Sequence, residues 1–143
     1  MKSSTTDLLK TLRNGRDISA ILQKNRSELV NTTIAQALCR LIEQKGLKKA
    51  DVVRNSLLNR TYAYDILNGA RLPGRDKVLQ LCFSMGLEFE EVQVLLKQTG
   101  FAQLYARNRR DSILIFGFEQ HLSVIRVDEL LNDMNEPTLQ TSK

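Results

Sequence analysis

The sequence predicts an all-α fold, on three observations. Apolar residues recur at spacings of three and four along the chain, which marks one buried helix face, and strand-like alternation is scarce. Only two prolines interrupt 143 residues, so few positions forbid a helix. Gly46, Gly69, Gly86 and Gly100 each follow an apolar-periodic run, where helices commonly stop. A hydrophobic content of 42% suffices for a core without disulfides in a chain of this length.

The elements follow in order. Residues 1–31 are expected to form an N-terminal helical arm: Leu8, Leu9, Leu12, Ile18, Ile21 and Leu22 are amphipathically spaced, with a turn signal at Asn14-Gly15. Residues 32–100 form the main domain. Thr32 or Thr33 can N-cap its first helix, which places Ile34, Leu38, Leu41 and Ile42 on one face before Gly46. Ala50–Ser56 is a second, short helix with Val52 and Val53 inward. Asn59 caps a third, running to about Asn68 before Gly69, and Pro73-Gly74 breaks the chain. Arg75–Met85 is the fourth helix, with Val78, Leu79, Leu81, Cys82 and Met85 available to the core. Phe89–Gln98 is the fifth, with Val92, Leu95 and Leu96 inward and Glu88, Glu90 and Glu91 suited to the dipole at its start.

Residues 101–136 read as a C-terminal helical extension. Phe101–Tyr105 is a packed linker, Ser112–Gln120 an apolar helix, and Ser123 the cap of a last helix presenting Val124, Val127, Leu130 and Leu131. The apolar stripe Ile113, Leu114, Ile115, Phe116 and Phe118 is broad for one helix. It is either intramolecular core or a dimer interface. Residues 137–143 are polar and expected to form a flexible tail.

The net charge of +5 is unevenly spread. Residues 32–75 carry eight Lys or Arg against three Asp or Glu, and residues 1–31 six against three. Residues 76–100 carry two against four, and residues 101–143 five against six. A focused basic region suits a polyanion, because neutralising phosphates releases condensed counterions. Arg107, Arg109 and Arg110 form a second basic cluster. They either extend such a surface or pair with acids, Asp111, Glu119 or Glu88 to Glu91, and lock the C-terminal helices in place; the near-neutral charge of this half favours pairing.

Several function classes are disfavoured. Cys39 and Cys82 are isolated among apolar residues and His121 is the only histidine, so no zinc set is present; two reduced thiols fit the cytoplasm. No apolar run of about 18 residues and no signal-peptide pattern occurs, so no membrane association is expected. No nucleophile–base pair, paired carboxylates or phosphate loop stands out, so neither enzymatic activity nor a cofactor is expected.

From Thr32 to about Leu96, the order of five helices and their punctuation resembles the lambda-repressor/Cro-like (XRE-type) helix-turn-helix family. The matches are Gly46-Leu47 at the entry, Asn59-Arg60-Thr61-Tyr62 at the start of the recognition helix, and Ile66 at its buried position. Gly69, Arg71 and Pro73 match the exit, and Val78, Leu81, Cys82, Met85-Gly86-Leu87 and Phe89-Glu90-Glu91-Val92 match the next two helices. Departures are Lys49 in place of the usual Gln, Val53 in place of a small Ala, Leu57 where the turn usually has Gly, and Leu67 in place of an acid.

The resemblance implies a five-helix helix-turn-helix bundle with an N-terminal helical segment and a C-terminal helical hairpin. It implies sequence-specific binding of double-stranded DNA by a transcriptional regulator. Lys48 and Lys49 would steady the second helix on the backbone. Asn59, Arg60, Thr61, Tyr62 and Tyr64 lie at the end of the recognition helix that inserts first, although either tyrosine could instead be core. Arg71 and Arg75 flank the exit and could reach the neighbouring strand. Such proteins commonly bind two half-sites as dimers, so a homodimer through the C-terminal helices is a natural partner state. The competing expectation is a helical protein-interaction module, an antitoxin or adaptor, on the same fold.

Overall fold

A computed structural model describes residues 33–141. The expected arm at residues 1–31 and the alternative cap Thr32 lie outside the described residues. Seven helices follow one another: α1 (Ile34–Gln44), α2 (Lys49–Ser56), α3 (Arg60–Leu67), α4 (Arg75–Met85), α5 (Phe89–Gln98), α6 (Arg109–Glu119) and α7 (Val124–Asp133). There is no strand among the described residues.

Local chemistry explains most of the boundaries. The Thr33 hydroxyl accepts from the Gln36 N–H at 3.1 Å, and the Gln36 side chain accepts from the Thr33 N–H at 3.3 Å. This reciprocal cap satisfies two groups at the start of α1. Asn59, Asn108 and Ser123 cap α3, α6 and α7 with one half of that arrangement, each side chain accepting from the N–H three residues on. Gly86 ends α4 in the left-handed conformation, at φ 65°. The end of α2 adopts a similar φ, 62°, at Leu57, a side chain for which that conformation is unfavourable.

One continuous core runs from Ile34 to Leu139. Its axis is α4, which contacts α2 on one side and α7 on another and buries every residue from Lys77 to Phe83. α1 packs on α3, α5 on α6, and α6 on α7. Gln80 fixes the α2–α3 turn to this axis: its amide donates to the Ser56 carbonyl at 3.0 Å, while the Ser56 hydroxyl accepts from Leu58 N–H at 3.2 Å. Phe83 of α4 stacks on Phe118 of α6 with ring centroids 3.8 Å apart. Gly117 allows that approach, because a Cβ there would meet Val127 at 2.8 Å and Phe83 at 3.1 Å.

α6 begins at Arg109, not the expected Ser112, so Arg109 and Arg110 are helical residues. Of the two readings left open for the apolar stripe of α6, most of it is core: Ile113, Leu114 and Phe118 are buried, leaving Phe116 half exposed, at 51%. The segment expected as a flexible tail is anchored at Leu139, while Pro137, Gln140 and Thr141 are exposed. Leu139 is wholly buried, and the Asp128 carboxylate accepts from the Leu139 N–H at 2.7 Å and the Gln140 N–H at 3.2 Å. Lys77 donates to Gln80 at 3.2 Å and to the Leu139 carbonyl at 3.3 Å, which ties the tail to α4. Both cysteines are free; burial pushes the Cys82 thiol well above its usual range, so it stays protonated.

Candidate nucleic-acid interface

Of the residues expected to touch DNA, all but Arg75, the first residue of α4, sit on or at the starts of α2 and α3 or in the loop after α3. Lys48 is the residue before α2 and Lys49 its first; both are exposed. Arg60 and Thr61 open α3 and are exposed as well. Opposite them, Ala63, Ile66 and Leu67 are buried, which orients the helix. Asn59 is partly committed, since its side-chain oxygen accepts from the Tyr62 N–H at 3.1 Å.

Tyr62 and Tyr64 take an intermediate place. Both are half-buried and packed against the core, so neither is wholly core nor wholly surface. Each ring carries an arginine: the Arg71 guanidinium carbon lies 5.5 Å from the Tyr62 ring centroid, and that of Arg60 lies 5.8 Å from Tyr64. The exit loop brings Arg71 back. Gly69 turns at φ 82°, and the Asp65 carbonyl accepts from the N–H groups of Ala70 at 2.8 Å and Arg71 at 3.2 Å.

Arg75 does not belong with this set. Its guanidinium donates to both oxygens of Asp111, at 3.0 and 2.9 Å, and to the carbonyls of Ala102 at 2.9 Å and Gln103 at 3.0 Å. Burial alone would push the Asp111 carboxyl up, but Arg75 and the Tyr105 N–H bound to it hold it below the ordinary value. Four of the five donors of Arg75 are therefore spent on joining α4 to the linker and α6. Its role is structural, because Asp111, far away in sequence, reaches it.

Of the basic cluster before and at the start of α6, Arg107 is exposed with no acid partner among the described residues, while Arg109 and Arg110 pair with different acids from those expected. Arg110 makes a bidentate pair with Asp76, at 3.0 and 3.0 Å, and donates to the Pro137 carbonyl at 2.9 Å. Arg109 pairs with Glu136 at 3.0 Å. By contrast, no acid among the described residues pairs with Lys48, Lys49, Arg60 or Arg71.

Tyr105, expected within a packed linker, is 60% exposed, and a second exposed apolar residue has little signal in the sequence. Leu72, between Arg71 and Pro73, is 88% exposed. Its signal was only its place before a proline, where the chain is driven into an extended conformation. His121, at φ 53° in the α6–α7 turn, is exposed and 3.8 Å from Glu88. No three His, Cys, Asp or Glu side chains among the described residues gather as a metal site. No helix among them is long and apolar enough to cross a membrane.

Compared with known proteins, the chain matches no family model, no curated protein and no solved structure.

Proposed function

We propose that this chain binds double-stranded DNA sequence-specifically through α2 and α3, used as a helix-turn-helix, and acts as a transcriptional regulator. The observation that carries the proposal is a set of four cations, Lys48, Lys49, Arg60 and Arg71, at the start of α2, the start of α3 and the exit loop. All four are exposed and unpaired among the described residues, whereas Arg54 of α2 pairs with Asp51, and Arg75, Arg109 and Arg110 at the starts of α4 and α6 are bound by acids. Unpaired cations repel one another and add little to stability, so a surface that gathers them suits a polyanionic partner. Helices α1 to α5 are the part proposed to correspond to the lambda-repressor-like unit, with α3 as its recognition helix.

In this mechanism Lys48, Lys49 and Arg71 bind phosphates and set the docking angle, while Arg60 and Thr61 meet base edges in the major groove. Occupying a promoter would then block or recruit polymerase. A homodimer would draw on the apolar side chains left exposed in the C-terminal hairpin, Phe116 and Ile125.

A protein-interaction role is favoured by one separate feature. A cleft of about 390 Å³ between α1 and α5 has an apolar floor, including Leu41, Val94 and Leu95, flanked by Arg40 and Glu90. That chemistry suits an amphipathic helix of a partner.

Selection of bound sequences from a random duplex pool, followed by binding at two salt concentrations, separates these readings. DNA reading predicts an enriched motif whose affinity falls steeply with salt. No enrichment, with weak binding to every duplex, would remove it in favour of a protein partner.

A further inference from the structure

We propose that Tyr62 and Tyr64 are positioning residues, which hold the guanidinium groups of Arg71 and Arg60 and so fix where two cations meet a duplex. This rests on the duplex-binding function proposed above. Arginine side chains on a surface ordinarily sample many rotamers. Here each guanidinium sits against a tyrosine ring, at 5.5 Å for Arg71 on Tyr62 and 5.8 Å for Arg60 on Tyr64. The rings are themselves held by packing against the core. No acid among the described residues competes for either arginine.

The choice of an aromatic holder matters chemically. A carboxylate would occupy the guanidinium's N–H donors, as Asp111 does for Arg75. A ring engages the guanidinium through its π face and leaves in-plane donors open for a bidentate bond to guanine or phosphate. The two arginines are held from different places. Arg60 is the first residue of α3, the end that enters the groove, so it addresses a base. Arg71 lies beyond the helix on the exit loop, which is itself fixed by the bonds to the Asp65 carbonyl, so it addresses a phosphate. Holding a cation over a ring at an exposed site biases its population by about two- to fivefold.

The test uses the full chain with Tyr62→Phe, Tyr62→Leu, Tyr64→Phe and Tyr64→Leu. One readout needs no DNA: the ring-current shift of the Arg60 and Arg71 side-chain protons by NMR. Phenylalanine keeps the shift, and leucine abolishes it for the arginine it faces. The second readout is binding to the duplexes that wild type selects from a random pool. Tyr64→Leu is expected to relax preference at one base position by about two- to fivefold, and Tyr62→Leu to weaken all duplexes alike by a similar factor, with both phenylalanine variants near wild type.

If a leucine variant fails to fold, Arg60→Lys and Arg71→Lys replace it. Both sites are exposed, and lysine keeps the charge without the planar stacking, so the same losses are expected. Phenylalanine variants that lose as much as leucine would overturn the proposal, because the hydroxyls would then be touching DNA directly. Leucine and lysine variants that select and bind like wild type would also overturn it, while leaving DNA reading intact. Wild type that enriches no duplex while showing the ring-current shifts would overturn DNA reading itself and the arginines' assignment to a duplex along with it.

Discussion

Arg71 and Arg75 lie close together in the sequence and have opposite fates. Arg75 is closed into a bidentate pair with Asp111 and two carbonyls, and beside it Arg110 closes onto Asp76. Arg71 rests on a tyrosine ring with no acid partner among the described residues. The same contrast separates whole regions: the start of α6 spends Arg109 and Arg110 on holding the chain together, while the α2–α3 region pairs only Arg54, with Asp51, and leaves Lys48, Lys49 and Arg60 without an acid among the described residues. Local basic composition is the same signal in both places. What differs is whether the fold brings a carboxylate within reach. A count of Lys and Arg therefore cannot distinguish a clasp from a reading surface.

The comparison is broken most forcefully at the clasp. Arg75→Ala leaves the largely buried Asp111 carboxylate without its cation, and is expected to cost about 3 kcal/mol in urea unfolding, near the low end for breaking a buried pair. The same pair sets an acid limit. The folded-state pKa of Asp111 lies below its ordinary 3.8, so its stabilisation is fully present above that value and is lost as pH falls through the lowered one. Urea unfolding from about pH 5 to about pH 2 should show the loss in wild type and a flatter acid limb in Arg75→Ala.

Gly117→Ala tests how tightly the clasped half is packed. A methyl there meets Val127 at 2.8 Å, so a loss of about 1–3 kcal/mol is expected by the same method. The α2–α3 region carries strain instead. Leu57 holds φ 62° at the end of α2 and is 40% exposed, so Leu57→Gly should stabilise the chain by about 1 kcal/mol. The smallest stability effects belong to the unpaired cations: Lys48→Ala and Arg71→Ala should each stay within about 0.5 kcal/mol of wild type. A larger loss would place them among structural residues.

Most helix boundaries were legible because their causes are local. Thr33, Asn59 and Ser123 cap where the spacing asked for caps, and α4, α5 and α7 begin at the residues expected. The start of α6 differs from the expected Ser112 although its cap, Asn108, is local: apolar spacing begins only at Ile113, so it does not reveal a first turn made of Arg109, Arg110 and Asp111, two of whose side chains are held by Glu136 and Asp76 from elsewhere in the chain. The fate of Arg75 was hidden because Asp111 is distant in sequence, and so was the anchoring of Leu139, which depends on Asp128. Of the candidate interface, Lys48, Lys49, Arg60, Thr61 and Arg71 stand exposed as expected. The Arg60–Tyr64 contact was readable from its spacing of four on one helix. The Arg71–Tyr62 contact was not, because it requires the loop to turn back at Gly69.

The most direct test of the central claim is the slope of log affinity against log salt for a selected duplex, compared between wild type and variants of both regions. Lys48→Ala and Arg71→Ala should each reduce the slope by about 0.9, the share of one phosphate contact. Arg109→Ala, whose cation is held by Glu136, should leave it unchanged. A slope insensitive to Lys48 and Arg71 but reduced by Arg109→Ala would contradict the assignment of α2, α3 and the exit loop as the surface that meets DNA.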